Sequence, residues 1–231
     1  MNRYQNKYFS VFGDSISTLE GYSQPKEAVF YDMAHKMSAR IISPSDTWWG
    51  RVIETLGGEL LINNSISGST VCWHPAYQVP SYGCSDERTS ALGKNGVQPD
   101  VIMVYLGTND WGAGLPIYNT DKDNLSYFFN AYDKMLEKLK GNYPCAEIWC
   151  LTLPISSCLA MENFTFSHSF GGRHICEYSE AIRQCAMRHG CRLIDLEKNE
   201  EPVDTMDGCH PNANGMMTMA NAIMAELKIE Y

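Results

Sequence analysis

The stretch that decides the fold class is Asp100-Val101-Ile102-Met103-Val104-Tyr105-Leu106. A continuous apolar run with β-branched side chains and no polar alternation is typical of a strand that is covered on both faces. Such strands belong to parallel sheets, because the helices that connect successive strands pack on both sides of the sheet. The stretch therefore predicts a strand inside a parallel α/β sheet.

Strand and helix patterns alternate on either side of this stretch. Four further strands are predicted, at residues 8–12, 60–62, 147–153 and 192–196. Helices are predicted where apolar residues recur at helical spacing, at residues 48–56, 125–139, 178–185 and 216–227. The alternation predicts an α/β fold, a three-layer sandwich with a central five-stranded parallel sheet, in a single domain over residues 1–231.

Two long segments, residues 19–44 and 71–97, show no clear periodicity. Each is too long for a plain connection in a compact domain, so each is expected to cover a binding site or to contain short elements. Just after the first segment, Ser45 or Asp46 is the predicted N-cap of the helix at residues 48–56.

Composition narrows the classes of function. The 231 residues carry a formal net charge of −9 without a basic run, so binding to nucleic acid is not expected. No stretch reaches the length of a membrane span, and the N-terminus lacks an apolar leader, which predicts a cytoplasmic protein without a membrane partner. The nine cysteines form no Cys-x-x-Cys pair and predict reduced, mostly buried thiols. No metal or cofactor is predicted, and the oligomeric state is left open.

Polar residues follow the predicted strands at the edge where ligands of open α/β sheets bind. Ser15 follows the first strand, residues 65–69 follow the second, residues 107–110 follow the third, and residues 207–210 lie after the fifth. A serine becomes a good nucleophile when a base removes its proton and a carboxylate orients that base. Acyl transfer also needs hydrogen-bond donors aimed at the oxyanion. This edge therefore predicts a serine hydrolase that acts on a small-molecule ester.

Four short sequence blocks indicate which family of serine hydrolases the chain resembles. They are Gly13-Asp14-Ser15-Ile16, Asn63-Asn64-Ser65-Ile66-Ser67-Gly68, Gly107-Thr108-Asn109-Asp110 and Asp207-Gly208-Cys209-His210-Pro211. In this order and at strand ends, they resemble the blocks of the SGNH hydrolases, also called GDSL esterases and lipases. The resemblance runs from the first strand to the last helix and implies a flavodoxin-like SGNH hydrolase fold.

The resemblance also implies roles for individual residues. Ser15 is then the nucleophile, His210 the general base, and Asp207 the carboxylate that orients His210. The oxyanion hole is formed by the backbone N–H groups of Ser15 and Gly68 and by the side-chain amide of Asn109. The chain departs from the family pattern at Ile16, which replaces the usual Leu, and at Ser65, where a further glycine is usual.

Structural interpretations compete with these roles. Ser15 can be a helix cap, His210 can cap the last helix, and Asn109 can stabilise its own turn. Asp204 is the competitor of Asp207 as the carboxylate of the site.

The remaining polar residues near the blocks are interpreted as structural. Asp14 and Asp110 are expected to bond nearby backbone N–H groups, and Cys209 is expected to pack rather than react. The other histidines are interpreted as surface or loop residues without a partner at recognisable spacing; they are His35, His74, His168, His174 and His189.

Trp73 and Trp111 follow the second and third blocks closely. They are predicted either to line the substrate pocket, where an aromatic ring can stack on a sugar, or to lie in the core. The segment at residues 19–44 mixes charged and aromatic residues, which suits a polar substrate. We therefore expect a short-chain ester as the substrate, an acetyl group on a carbohydrate.

Other functions are kept as alternatives. A lipase or thioesterase of the same family would use the same blocks on a different acyl group. A flavodoxin-like phosphate- or flavin-binding module could use the hydroxyls after the first strand, but it gives no reason for Asp207-x-x-His210. The α/β-hydrolases are excluded because the chain has no Gly-x-Ser-x-Gly.

Overall fold

A computed structural model describes residues 2–76, 81–158, 165–166, 168–169 and 171–227. Its strands are β1 (Tyr8–Gly13), β2 (Glu59–Ser65), β3 (Val101–Tyr105), β4 (Glu147–Leu151), β5 (Ser156–Ser157), β6 (Thr165–Phe166), β7 (Arg192–Ile194) and β8 (Val203–Asp204). Its α-helices are α1 (Met33–Ala39), α2 (Trp48–Leu56), α3 (Asp86–Thr89), α4 (Thr108–Gly112), α5 (Phe128–Asn142), α6 (Ile175–His189) and α7 (Ala213–Leu227).

The main sheet contains five parallel strands in the order β2-β1-β3-β4-β7. Strand β3 lies in the middle of this order, and all five of its residues are buried. Helices on both faces complete a three-layer sandwich, in which α2 contacts α7 and α5 contacts α6. The prediction of an α/β fold with a central five-stranded parallel sheet is confirmed.

The predicted helices and strands are present, with small shifts at their ends. Helix α2 covers the predicted residues 48–56, but its N-cap is Thr47, whose hydroxyl accepts the Gly50 N–H at 3.0 Å. The prediction of Ser45 or Asp46 is therefore wrong. Both residues belong to a preceding 3-10 turn, Pro44–Asp46, which uses the Asp46 carboxylate for its own capping box.

The segments without periodicity contain short elements, as expected. The first holds a 3-10 turn, Lys26–Ala28, and helix α1. The second holds helix α3, which has only four residues. Strands β5, β6 and β8 form a second, smaller sheet that the sequence did not predict, because strands of two residues leave no periodicity.

The core lies on both faces of the main sheet. Trp48, Trp49 and Trp149 are among its largest fully buried side chains, and Met216 and Met219 of α7 fill it from the side of that helix. The nine cysteines are free thiols. Among the described residues, no helix is long and apolar enough to cross a membrane.

Candidate active site

Ser15 lies at the carboxyl edge of the sheet, two residues after the end of strand β1. The strand ends at Gly13, where an added Cβ would lie 2.6 Å from Ser17 Oγ and 2.9 Å from Ser65 Oγ, so only glycine fits. Ser15 then begins a 3-10 turn, Ser15–Ser17. Asp14 caps this turn, because its Oδ1 accepts the Ile16 N–H at 3.1 Å. Burial raises the pKa of Asp14 to about 7, against the effect of that hydrogen bond.

The loop between β8 and α7 carries the Asp-x-x-His block. Asp207 Oδ1 accepts the backbone N–H groups of Cys209 at 2.9 Å and His210 at 2.7 Å. Its second oxygen, Oδ2, lies 2.7 Å from His210 Nδ1. One carboxylate therefore fixes both the backbone of the loop and the ring of His210.

The two ends of the chain meet at the serine. His210 Nε2 lies 3.0 Å from Ser15 Oγ, and these residues are 195 positions apart. With Nδ1–H donating to Asp207, Nε2 of a neutral imidazole is the ring nitrogen that can accept a proton. The line from Asp207 through His210 to Ser15 has the geometry of an activated serine nucleophile.

The electrostatics of Asp207 agree with this arrangement. Partial burial raises the pKa of Asp207, but hydrogen bonds from the His210 ring and from the His210 and Cys209 backbone outweigh it and bring the pKa to about 2. The carboxylate is therefore ionised across the range in which histidine titrates. Asp204, the competing carboxylate, lies on β8 and accepts Asn212 Nδ2 at 2.6 Å at the start of α7.

The second and third blocks lie at the carboxyl ends of β2 and β3, the two strands that flank β1 in the sheet. Gly68 has a φ of 75°, a left-handed conformation that favours glycine. In the described part of the chain, neither the Ser15 nor the Gly68 N–H has a protein acceptor. Asn109 Nδ2 donates to the Ser69 carbonyl at 2.8 Å, which uses one of its two N–H bonds and leaves the other for a ligand.

Asp110 joins the third block to the backbone just after the second. Its carboxylate accepts the Val71 N–H at 2.8 Å and the Cys72 N–H at 3.0 Å. The structural interpretation of Asp110 is thus correct, but its partners lie 38 and 39 positions away rather than nearby. Burial raises the pKa of Asp110 to about 6, against these hydrogen bonds.

Sequence reasoning missed Arg88, which lies on α3 and is only 3% exposed. Its guanidinium donates to Gly13 O at 3.0 Å, to Asn64 O at 2.6 Å and Asn64 Oδ1 at 3.1 Å, and to Ser69 Oγ at 2.5 Å. Arg88 therefore joins the ends of β1 and β2 behind the candidate site. No sequence signal pointed to it, because α3 is too short to show periodicity.

Trp73 and Trp111, which were both predicted either to line the pocket or to lie in the core, differ in their exposure to solvent. Trp111 is 3% exposed, belongs to the core cluster and donates from Nε1 to the Arg173 carbonyl at 3.3 Å. Trp111 therefore has the second of its two predicted roles, in the core, where a buried indole offers no ring face to a substrate. Trp73 is 48% exposed and lines a cavity of about 330 Å³ together with Asp86, Asp123 and Lys138.

All five histidines that were interpreted as lacking a partner at recognisable spacing have one. His35 Nδ1 lies 2.9 Å from Asp32 Oδ1, His189 Nε2 lies 2.9 Å from Asp133 Oδ1, and His174 caps α6 by accepting the Cys176 N–H. His74 Nδ1 accepts the Ala76 N–H at 3.1 Å, and the His168 ring packs edge-on against the His174 ring. The Asp32-x-x-His35 spacing, the same as that of Asp207 and His210, is the sequence signal that could have predicted the partner of His35.

Cys209 packs against the core as expected, and burial raises the pKa of its thiol to about 12. Among the described residues, no group of three or more His, Cys, Asp or Glu side chains is placed to hold a metal ion.

The chain matches the model of the GDSL-like lipase/acylhydrolase family over residues 7–162. Comparison with curated proteins gives no match. A protein from Bacteroides ovatus described as a GDSL-like lipase is 26% identical, with a TM-score of 0.74, and the match covers 97% of this chain and 99% of that one. A similarly described protein from Bacteroides uniformis is 28% identical, with a TM-score of 0.72, over 96% of this chain and 95% of that one.

A carbohydrate acetylesterase from Sinorhizobium meliloti is also similar, at 17% identity and a TM-score of 0.64, over 96% of this chain and 98% of that one. At this identity the likeness shows the shared fold alone. The family model, by contrast, matches more than half of the chain, and its match includes the first three of the four blocks. The chain therefore belongs to the GDSL-like lipase/acylhydrolase family, the SGNH hydrolases, and is a carboxylic ester hydrolase.

Proposed function

We propose that the chain hydrolyses esters through an acyl-enzyme on Ser15, with His210 as general base and Asp207 as its orienting carboxylate. The observation that carries this proposal is the pair of contacts at His210, 3.0 Å from Nε2 to Ser15 Oγ and 2.7 Å from Nδ1 to Asp207 Oδ2. Both lie within hydrogen-bond reach, the geometric requirement for general-base activation of a serine.

The reaction has two steps. Ser15 Oγ attacks the ester carbonyl carbon while its proton passes to His210 Nε2, and the tetrahedral intermediate then expels the alcohol, which takes that proton. Water next attacks the acyl-enzyme, again losing a proton to His210, and the acid leaves as the Ser15 hydroxyl is restored. Asp207 stays ionised throughout and stabilises the imidazolium that forms in each step.

Three donors are proposed for the oxyanion: the N–H groups of Ser15 and Gly68 and the remaining N–H of the Asn109 amide. Asp110 and Arg88 hold the loops that carry these donors, because they fix the backbone at residues 71–72, Gly13 and Asn64 and the hydroxyl of Ser69. Donors held in place before the reaction stabilise developing charge without a cost of reorganisation.

We propose a short acyl group on a polar alcohol as substrate, an acetyl ester of a carbohydrate. The support is two polar features: half-exposed Asp32 and His35 lie across the Phe30 ring from His210, and exposed Trp73, five positions after Gly68, lines a cavity with Asp86 and Asp123. An aromatic ring next to carboxylates suits a sugar face and its hydroxyls. A lipase or thioesterase would instead need an apolar surface for the acyl chain.

The test combines a covalent probe with a substrate series. A fluorophosphonate should label wild-type protein at Ser15, and Ser15→Ala should keep its thermal unfolding transition but take no label. Rates on p-nitrophenyl esters should fall from acetate to octanoate, and acetylated sugars should be deacetylated, with Ser15→Ala as the blank. Label on another serine contradicts the nucleophile, whereas a preference for octanoate contradicts only the substrate.

A further inference from the structure

The ring of Phe30 lies flat on the imidazole of His210. The two ring centroids are 3.5 Å apart, and the planes are inclined by 8°. Phe30 comes from the segment at residues 19–44, to which the mechanism above assigns no role. The contact covers one face of the ring that has to accept the serine proton.

The backbone of Phe30 is tied to the serine turn. The Phe30 N–H donates to Thr18 Oγ1 at 2.9 Å, and Thr18 Oγ1 donates in turn to the Ser15 carbonyl at 2.7 Å. The Thr18 N–H donates to the same carbonyl at 3.2 Å. Phe30 and Ser15 are therefore positioned by one local hydrogen-bond network.

The next residue is tied to the histidine loop. Tyr31 is fully buried, and its hydroxyl donates to the Pro211 carbonyl at 2.6 Å. Pro211 directly follows His210. The step from Phe30 to Tyr31 thus contacts both halves of the candidate site, which come from opposite ends of the chain.

We infer that Phe30 is a positioning residue for His210, an inference that rests on the proposed function. The hydrogen bond to Asp207 fixes Nδ1 but lets the ring tilt about it. A parallel ring at 3.5 Å removes that tilt, so that Nε2 stays directed at Ser15 Oγ. The same π face stabilises the positive charge that His210 gains when it takes the proton, because a cation is attracted to the face of an aromatic ring.

A second imidazole stacks on Phe30. The ring centroid of His35 lies 4.6 Å from that of Phe30, with an interplanar angle of 27°. One face of a phenyl ring cannot hold two imidazoles at these distances, so His35 and His210 lie on opposite faces. His35 supports Phe30 from the solvent side and does not touch the reacting atoms.

The test is Phe30→Leu, which keeps an apolar side chain of similar size but has no π face. We expect kcat to fall about 10-fold with little change in KM, because the lost interaction acts mainly in the transition state. The rate of inactivation by a fluorophosphonate should fall by the same factor, since it needs the same proton transfer. Phe30→Tyr, which keeps the stacking face, should stay within about twofold of wild type.

Three outcomes would overturn the inference: unchanged kcat in Phe30→Leu, an equal loss in Phe30→Tyr, or a change confined to KM, which would make Phe30 a wall of the substrate pocket. Thermal unfolding of both variants separates loss of fold from loss of positioning. Failure of the proposed function looks different, since Ser15→Ala would then keep its activity whatever Phe30 does.

Discussion

The chain contains the pattern Asp-x-x-His twice near the site, at Asp32–His35 and at Asp207–His210. In both, the aspartate accepts the backbone N–H groups two and three positions later, at 3.1 and 3.0 Å in the first and at 2.9 and 2.7 Å in the second. In both, the histidine Nδ1 also contacts the carboxylate, at 2.9 and 2.7 Å. The two pairs are separated by the ring of Phe30.

The pairs differ in what the other ring nitrogen meets. His210 Nε2 faces Ser15 Oγ, and the His210 side chain is only 18% exposed. His35 lies on an exposed helix, and its side chain is 49% exposed. The local pattern therefore orients a histidine, whereas the topology of the sheet decides whether that histidine has a serine to activate.

Replacing each histidine with alanine tests most directly whether only one of the two pairs is catalytic. His210→Ala should lower kcat by at least ~10³-fold, about as much as Ser15→Ala, because members of a triad act as a unit. Steady-state rates on p-nitrophenyl acetate measure this. Loss of activity in His35→Ala with activity kept in His210→Ala would show that the two pairs have been assigned the wrong way round.

Neutralising each aspartate tests the orienting role. Asp207→Asn should lower kcat by ~10³–10⁴-fold, because the N–H group of the new amide can donate to Nδ1 and so favours the tautomer of His210 that carries its proton on Nε2. Asp32→Asn serves as the matched control and should stay close to wild type. If Asp204→Asn proved as damaging as expected for Asp207→Asn, and Asp207→Asn did not, the orienting carboxylate would be Asp204.

The candidate oxyanion donors also distinguish the two pairs, because they belong to the site of Asp207 and His210 and not to that of Asp32 and His35. Asn109→Ala should lower kcat by ~10²–10³-fold with little change in KM, since the amide acts on charge that develops in the transition state. A full kinetic profile checks the split. An effect limited to KM would make Asn109 a ground-state binding residue.

Acid should reveal the contribution of ionised Asp207 to the stability of the fold. Hydrogen bonds lower the pKa of Asp207 to about 2, so its contribution to stability is present above its unfolded pKa of about 4 and is lost as the pH falls towards 2. Thermal unfolding of wild type and Asp207→Asn should therefore converge between about pH 4 and pH 2. A constant difference across that range would mean that Asp207 is not ionised and hydrogen-bonded in the folded state.

The smallest effect is expected for His35→Ala. Its ring is half exposed and supports only the outer face of Phe30, so kcat should stay within about twofold and stability within about 0.5 kcal/mol of wild type. Chemical denaturation and steady-state kinetics together check this. A loss comparable to that of Phe30→Leu would assign the outer imidazole a direct share in the site.

Patterns that repeat along the chain could be predicted from the sequence. Burial on both faces gives β3 its apolar run, and the blocks at the strand ends predicted the positions of Ser15, Asn109 and His210 at one edge of the sheet. Contacts between segments that are distant in sequence and lack periodicity could not be predicted. Nothing near Phe30 or Arg88 in sequence indicates that one stacks on a residue 180 positions later or that the other bonds the end of β1.

Competition between neighbouring turns explains the wrong prediction for the N-cap of α2. Thr47 replaced Ser45 and Asp46 as the cap of α2 because a 3-10 turn had already engaged Asp46. Trp111 belongs to a five-residue helix that places its indole in the core, and so short an element shows no face in the sequence.

The hydrogen bonds of Asp110 and Arg88 lie on either side of Trp73 along the chain. Asp110 holds the backbone at Val71 and Cys72, just before Trp73, and Arg88, further along on α3, bonds Gly13, Asn64 and Ser69. Both bind the chain to the framework that carries the candidate oxyanion donors. Exchange of the exposed Trp73 should therefore change the surface between these two anchors without displacing that framework, so this position can be varied independently of the proposed catalytic residues.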